Sequence, residues 1–276
     1  GSVVPVPATP VPGAPGVSRV AVPRPTLPPA TTTNCWLLGH DAVIAVDPAG
    51  VRPEAQRGLA EALRPRRVAA IFLTHHHVDH VGGVQDLRAR TGAPVWAHAH
   101  TAAHVPFPVD RLLDEGDELV TDAGTWTALY TPGHARGHLC LRSEDGGSIV
   151  AGDMVAGEGT IVLDPPEGAL GDYLDSLERL LALDPVRLLP AHGQVIEPAG
   201  PLLQHYIEHR QARTDQILRA LQTAGASAPI GLVPVVYPDL PLPFPPVAAR
   251  QVLCHLQWLA ARGDALAIGD TFHASG

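Results

Sequence analysis

Short apolar blocks punctuated by Gly, Pro and Asp fill the first two thirds of the chain, and helical spacing takes over in the last third. Residues 35–38 and 42–46 predict two strands joined by a turn at Gly39, His40 and Asp41. Residues 52–63 have a helical period and stop just short of Pro65. Residues 68–73 are an unbroken apolar run, the pattern of a strand buried on both faces. A helix is expected over about 84–90, followed by short strands at 94–97, 118–120, 125–130, 140–142 and 148–151. A helix at 170–183 and a strand at 187–189 come next. Two helices follow, at 202–221 and 245–262, with a short strand expected between them at 235–237. Such alternation predicts a layered α/β domain.

Residues 3–30 are crowded with proline and small side chains. They predict a flexible proline-rich arm over 1–16, with the chain folding onto the core near 17–22. The main domain is expected over 17–200 and a small C-terminal helical cap over 201–276.

Composition narrows the chemistry. At 276 residues the chain can bury a full core, and its longest apolar runs are far too short to span a membrane. Residues 1–30 lack the basic start and continuous apolar stretch of a signal peptide. Cys35, Cys140 and Cys254 are an odd, widely spaced set that suggests no disulfide framework and favours a reducing cytoplasm. All 19 cationic residues are arginine, which excludes lysine Schiff-base chemistry and a P-loop. A net charge of −9 and 4% aromatic residues disfavour nucleic acid as a partner. The 15 histidines are the outlying count, and they cluster.

The densest cluster is Thr74-His75-His76-His77-Val78-Asp79-His80, placed where the 68–73 strand ends. His75 and His77 can face one side of a tightly turned segment, while Asp79 and His80 can face a second centre. Imidazole and carboxylate ligands suit zinc, with iron or manganese as substitutes. Further ligands stand after later strands: His134 in Thr-Pro-Gly-His, Asp153 in Ala-Gly-Asp, and His192 in Pro-Ala-His-Gly. Any one of these alone reads as an ordinary turn residue; the full set, in one order, does not.

These stations resemble the metallo-β-lactamase fold superfamily over roughly residues 17–221. The resemblance implies a four-layer αββα sandwich with the site at one edge and two zinc ions per chain. It assigns His75, His77 and His134 to the first metal, Asp79, His80 and His192 to the second, and Asp153 to both. Asp47 matches an early aspartate that buttresses the metal loop. The commonest true β-lactamases of this fold have cysteine where Asp153 stands, so antibiotic hydrolysis is disfavoured. Residues 74–83 resemble glyoxalase II, and residues 171–210 with 255–263 resemble the lactamase-beta-2-like branch, which carries a small winged-helix-like cap. Ala135 departs from the Thr or Ser usual after the third-station histidine, which should loosen support around His134.

An ion pair of this kind lowers the pKa of a bridging water toward about 7, and the hydroxide attacks a carbonyl or phosphoryl centre. No Gly-x-Ser-x-Gly elbow offers another nucleophile. Asp79 is the catalytic candidate, orienting the nucleophile or passing on a proton. His138 could bond a substrate oxygen or a carboxylate beside the metals, and both readings stay open. His205, His209 and Arg210 share a helix face that is either solvated or recognises an anionic substrate group. His76 should point away from the metals, and His98, His100 and His104 read as ordinary loop histidines because no carboxylate follows in register. The leading expectation is a metal-dependent thioesterase or esterase acting on a glutathione, coenzyme A or carrier-protein acyl group. A metal-dependent endoribonuclease and a lactone hydrolase are the alternatives, and a catalytically idle binding module is a third class. No membrane partner is expected, and the cap is free to contact substrate or a second copy in a homodimer.

Overall fold

The computed structural model describes residues 7–23, 31–241 and 244–276. The chain opens with strands β1 (Thr9–Pro10), β2 (Val17–Pro23), β3 (Thr32–Gly39) and β4 (Ala42–Val46), then helix α1 (Pro53–Leu63) and strand β5 (Arg67–Phe72). Short helices α2 (Val78–Val81) and α3 (Val84–Thr91) lead to β6 (Val95–Ala97), α4 (Ala99–Ala102) and β7 (Arg111–Leu112). Four strands follow: β8 (Glu118–Thr121), β9 (Gly124–Tyr130), β10 (Leu139–Ser143) and β11 (Ser148–Gly152). Helix α5 (Leu170–Ala182), strand β12 (Arg187–Pro190) and the long α6 (Ala199–Ala224) come next. The chain ends with β13 (Ala226–Ser227), α7 (Pro229–Val236), α8 (Pro245–Arg262), β14 (Ala265–Ile268) and β15 (Thr271–Ala274).

Strands β1 to β7 form one sheet in sequence order, antiparallel through β4 and parallel from β4 to β7. The second sheet runs β12-β11-β10-β9-β8, antiparallel except for the β11–β12 pair. Side chains alternate across each strand. In β3, Trp36 and Leu38 enter the core between the sheets, while Cys35 and Leu37 face α1 and α3. In the second sheet, Leu139 and Leu141 point inward, and Cys140 packs under α5 and α6 with Tyr173, Leu177 and Leu203. Three stacked apolar layers therefore bind four layers of secondary structure, the αββα sandwich that the resemblance implies. Both faces of each sheet are buried, which is why β3 and β5 read as continuous apolar runs.

Residues 7–16, expected within a flexible arm, are built into the sheet edge. Thr9 and Pro10 pair with Arg19 and Ser18, and Val11 and Ala14 join the core between the sheets. Residues 1–6 and 24–30, the rest of the proline-rich stretch, lie outside the described residues.

The cap has its own core, in which Ile217, Leu221, Val233, Val252, Leu256 and Phe272 meet. Three helices followed by the β14–β15 hairpin, with β13 completing a three-stranded sheet, give the winged-helix arrangement. The strand expected at 235–237 is helical: Pro229 starts α7, and its turn runs on to Val236. The boundary expected at residue 200 falls inside one helix. The first half of α6 buries Ala199, Leu203 and Ile207 against the sandwich, and its second half buries Ile217 and Leu221 in the cap.

Candidate metal centre

Five strands of the sandwich end along one edge, and each hands its polar residue to the same place. Asp47 follows β4, residues 74–80 follow β5, His134 follows β9, Asp153 follows β11 and His192 follows β12. The seven predicted ligands fall into two groups sharing Asp153: His75, His77, His134 and Asp153, and Asp79, His80, Asp153 and His192. In each group the potential ligand atoms lie within 4.8 Å of one another. Oδ2 of Asp153 is 3.0 Å from Nε2 of His80, 3.2 Å from that of His134 and 3.5 Å from that of His75. Nε2 of His192 stands 3.3 Å from Oδ2 of Asp79 and 3.6 Å from Oδ1 of Asp153.

Hydrogen bonds behind the rings decide which nitrogen each presents. Nδ1 of His134 lies 2.7 Å from the carbonyl oxygen of Val162, and Nδ1 of His192 lies 3.0 Å from that of Thr32. A carbonyl only accepts, so both Nδ1 atoms carry the proton, and both Nε2 atoms present a lone pair. His80 donates from Nδ1 to Oδ2 of Asp47 at 2.8 Å. Thr74 spends its hydroxyl proton on Asp47 at 2.7 Å, so it accepts from Nδ1 of His75 at 2.9 Å. Four imidazole lone pairs and two carboxylates thus converge, with Nδ1 of His77 3.1 Å from Nε2 of His134. Nε2 of His75 and Oδ1 of Asp153 are buried with no hydrogen-bond partner among the described residues. Acceptors packed this closely repel one another unless a cation lies between them, and the donor set fits one.

The electrostatics agree. Burial alone would lower the pKa of His80, but Asp153 and Asp47 outweigh it and push it up to about 10. The two carboxylates thus favour positive charge at this point of the site. Burial, with His80 beside it, holds His75 well below its ordinary value, and burial with His134 lowers His77 to about 3. Burial would raise Asp153, but His80, His134 and His75 hold it well below the usual carboxylate range.

Asp47 has a backbone φ of +52° and accepts from the Thr74 amide, the Thr74 hydroxyl and His80. Asp is among the few residues that tolerate that left-handed conformation. Gly133, at φ +147°, is fixed by contact: a Cβ there would lie 2.4 Å from Cα of Tyr173. Ala135 leaves His134 no hydroxyl neighbour, and the Val162 carbonyl supplies the support instead.

His138 does not face substrate. It is fully buried, its Nε2 accepts from the Asp153 amide at 3.1 Å, and its Nδ1 lies 2.9 Å from the Thr131 hydroxyl. Burial, then His134, lowers its pKa to about 3, so the ring is a neutral prop for the Asp153 loop. Thr32, Thr74 and Val162 were not foreseen. Two of the three act through backbone carbonyls, which no residue type betrays.

His205, His209 and Arg210 line a cleft of about 700 Å3 between sandwich and cap. Its walls include residues 156–162, Leu202, Tyr206, Leu240, Phe244 and Val247. Arg210 donates to the Ile161 carbonyl at 2.6 Å, and the next residue, Val162, holds His134. One short segment thus joins the cleft wall to the metal-ligand cluster. No helix among the described residues is long and apolar enough to cross a membrane.

Comparison with known proteins places residues 28–192 on the family model described as the metallo-beta-lactamase superfamily. The beta-lactamase-like protein 2 homolog of Drosophila melanogaster is 32% identical over 247 residues, covering 84% of this chain and 83% of that protein. The lactamase-like protein vrtG of Penicillium aethiopicum is 34% identical over 210 residues, covering 75% of this chain and 66% of its own length. Among solved structures, a metallo-beta-lactamase family protein from Thermus thermophilus has 25% identity and a TM-score of 0.79, covering 95% of this chain and 99% of that one. Another, described in a di-iron-bound form, has 29% identity and a TM-score of 0.54, covering 64% of this chain and 96% of that one.

Proposed function

Because the chain belongs to the metallo-β-lactamase superfamily, we propose that it is a di-zinc hydrolase of acyl thioesters or esters. The observation that carries the reading is the convergence of oriented imidazole lone pairs and two carboxylates beside a roomy, largely apolar cleft. His75, His77, His134 and Asp153 would hold one ion, and Asp79, His80, His192 and Asp153 the other. When bound, such ions lower the pKa of water and polarise the scissile carbonyl.

The protein's own groups supply the rest. Asp79 stands at the cluster with an exposed edge, where a carboxylate can take a proton from the attacking water and return it to the leaving group. Burial of His75, His80 and Asp153 excludes bulk water, which strengthens each electrostatic contact. Leu202, Leu240, Phe244 and Val247 favour an acyl chain, Arg210 gives an anionic carrier group a counter-charge, and His205 and His209 offer it ring nitrogens as hydrogen-bond partners. That combination suits coenzyme A, glutathione or a carrier protein's phosphopantetheine arm.

The test is thiol release from acyl-glutathione, acyl-coenzyme A and acyl-carrier substrates by zinc-loaded protein, with single-stranded RNA and lactones in parallel. Thiol release from one of these at a kcat/KM at least about 100-fold above the RNA and lactone reactions supports the reading. Preferential RNA or lactone cleavage overturns it.

A further inference from the structure

Outside the two groups described above, His76, His100 and Glu167 bring three potential ligand atoms within 4.8 Å of one another. They come from three separate elements: the segment after β5, the short helix α4, and the loop that enters α5. Nε2 of His100 lies 2.9 and 3.2 Å from the two oxygens of Glu167. Nδ1 of His76 faces the same carboxylate at 4.0 Å. That nitrogen is buried and has no hydrogen-bond partner among the described residues, a cost that a ligand removes.

A further imidazole, exposed to solvent, stands near them. The His104 ring is 4.2 Å from that of His100 and 5.0 Å from that of His76, centre to centre. Nδ1 of His104 donates to the His100 carbonyl at 2.7 Å, which leaves a lone pair on Nε2. The Arg136 amide donates to Oε1 of Glu167 at 2.7 Å and so orients the carboxylate, leaving Oε2 open to a ligand.

We propose that His76, His100 and Glu167, with His104 or water as the fourth ligand, form a third site for a divalent ion of the zinc class. Two imidazoles and one carboxylate with an open position are a ligand set that zinc accepts, and imidazole donors select against magnesium and calcium. Tetrahedral zinc with ligands near 2.1 Å spaces its donors by about 3.4 Å, so the His100–Glu167 pair at 2.9 Å must open and the His76–Glu167 pair at 4.0 Å must close. The ion would tie these three elements together through His76, which stands between His75 and His77 in the chain. It binds more weakly than the buried groups, because its ligands are only half-buried and fewer are fixed in advance.

The experiment titrates the full chain with Zn(II) by equilibrium dialysis and counts bound metal, using wild type, Glu167→Gln and His100→Ala. Glu167→Gln preserves shape and an acceptor for the Arg136 amide, so its fold is retained. The wild type should bind one equivalent more than either variant, with affinity for that equivalent at least about 10-fold weaker in the variants. Co(II) titration should show the same missing equivalent as a lost absorption component. Equal stoichiometry and affinity in all three proteins overturns the proposal. The count is a difference between proteins, so it stands or falls separately from occupancy of the other two groups.

Discussion

Asp47 receives the Nδ1 proton of His80 at 2.8 Å while its other oxygen receives the Thr74 amide at the same distance. A residue that touches no metal therefore sets the direction of one ligand and the backbone that carries three more. Asp47→Asn keeps the left-handed backbone available but turns one acceptor into a donor facing another donor. Zinc affinity at the His80 group should fall about 10- to 100-fold, read by chelator competition. Unchanged affinity would remove Asp47 from the design of the site.

Asp153 belongs to both ligand groups and His192 to one. His192→Ala should lower bound zinc by about one equivalent and leave the His75 group filled. Asp153→Asn should weaken both groups together, and each variant should lose activity by at least about 100-fold. Metal analysis on folded protein, verified by circular dichroism, separates the two patterns. Equal retention of metal in both variants would contradict a shared carboxylate.

Arg210 reaches the cleft from α6 and braces the Ile161 carbonyl. Arg210→Ala should raise KM about 10-fold for thioesters with anionic carriers and less for neutral esters, with kcat changed by a smaller factor. Steady-state kinetics on matched charged and neutral substrates decides this. An equal effect on both would make Arg210 a brace alone.

His255 is buried in the cap beside Thr214, 2.7 Å from its hydroxyl. Burial, then Arg210 and Arg213, lower its pKa to about 3 from 6.5. Between those values the unfolded chain takes up a proton that the folded chain refuses, so stability falls as pH drops from 6.5 toward 3. The slope from this one group is at most about 1.4 kcal/mol per pH unit. His255→Leu should flatten the denaturation profile by up to that amount relative to wild type. An unchanged difference across the range would show that His255 does not titrate in this way.

The main ligand set is legible in sequence because each member follows an apolar strand closely enough to be read with it. His75 to His80 follow β5 directly, and Asp153 and His192 follow β11 and β12 at once. The His100–Glu167 contact spans 67 residues, and nothing local to either announces the other. His100 looks ordinary for the same reason, since its carboxylate comes from a distant loop. The wing of the cap is anticipated only through the resemblance, because β13 has two residues and the exposed face of β14 carries no core pattern. The first strand pair is hidden among prolines whose composition imitates an unfolded arm. His138 shows the limit of reading proximity: four residues from His134, it turns inward and holds backbone.

Helix α6 runs unbroken for 26 residues, about 39 Å, from the sandwich core into the cap core. The two lobes are joined by a rod instead of a hinge, so the cleft cannot shut around its occupant by swinging the cap. Its depth is then a fixed gauge, and under the proposed acyl hydrolysis chain length becomes the property by which substrates are sorted. The same rod anchors both lobes at once, with Leu203 in the sandwich core and Leu221 in the cap core.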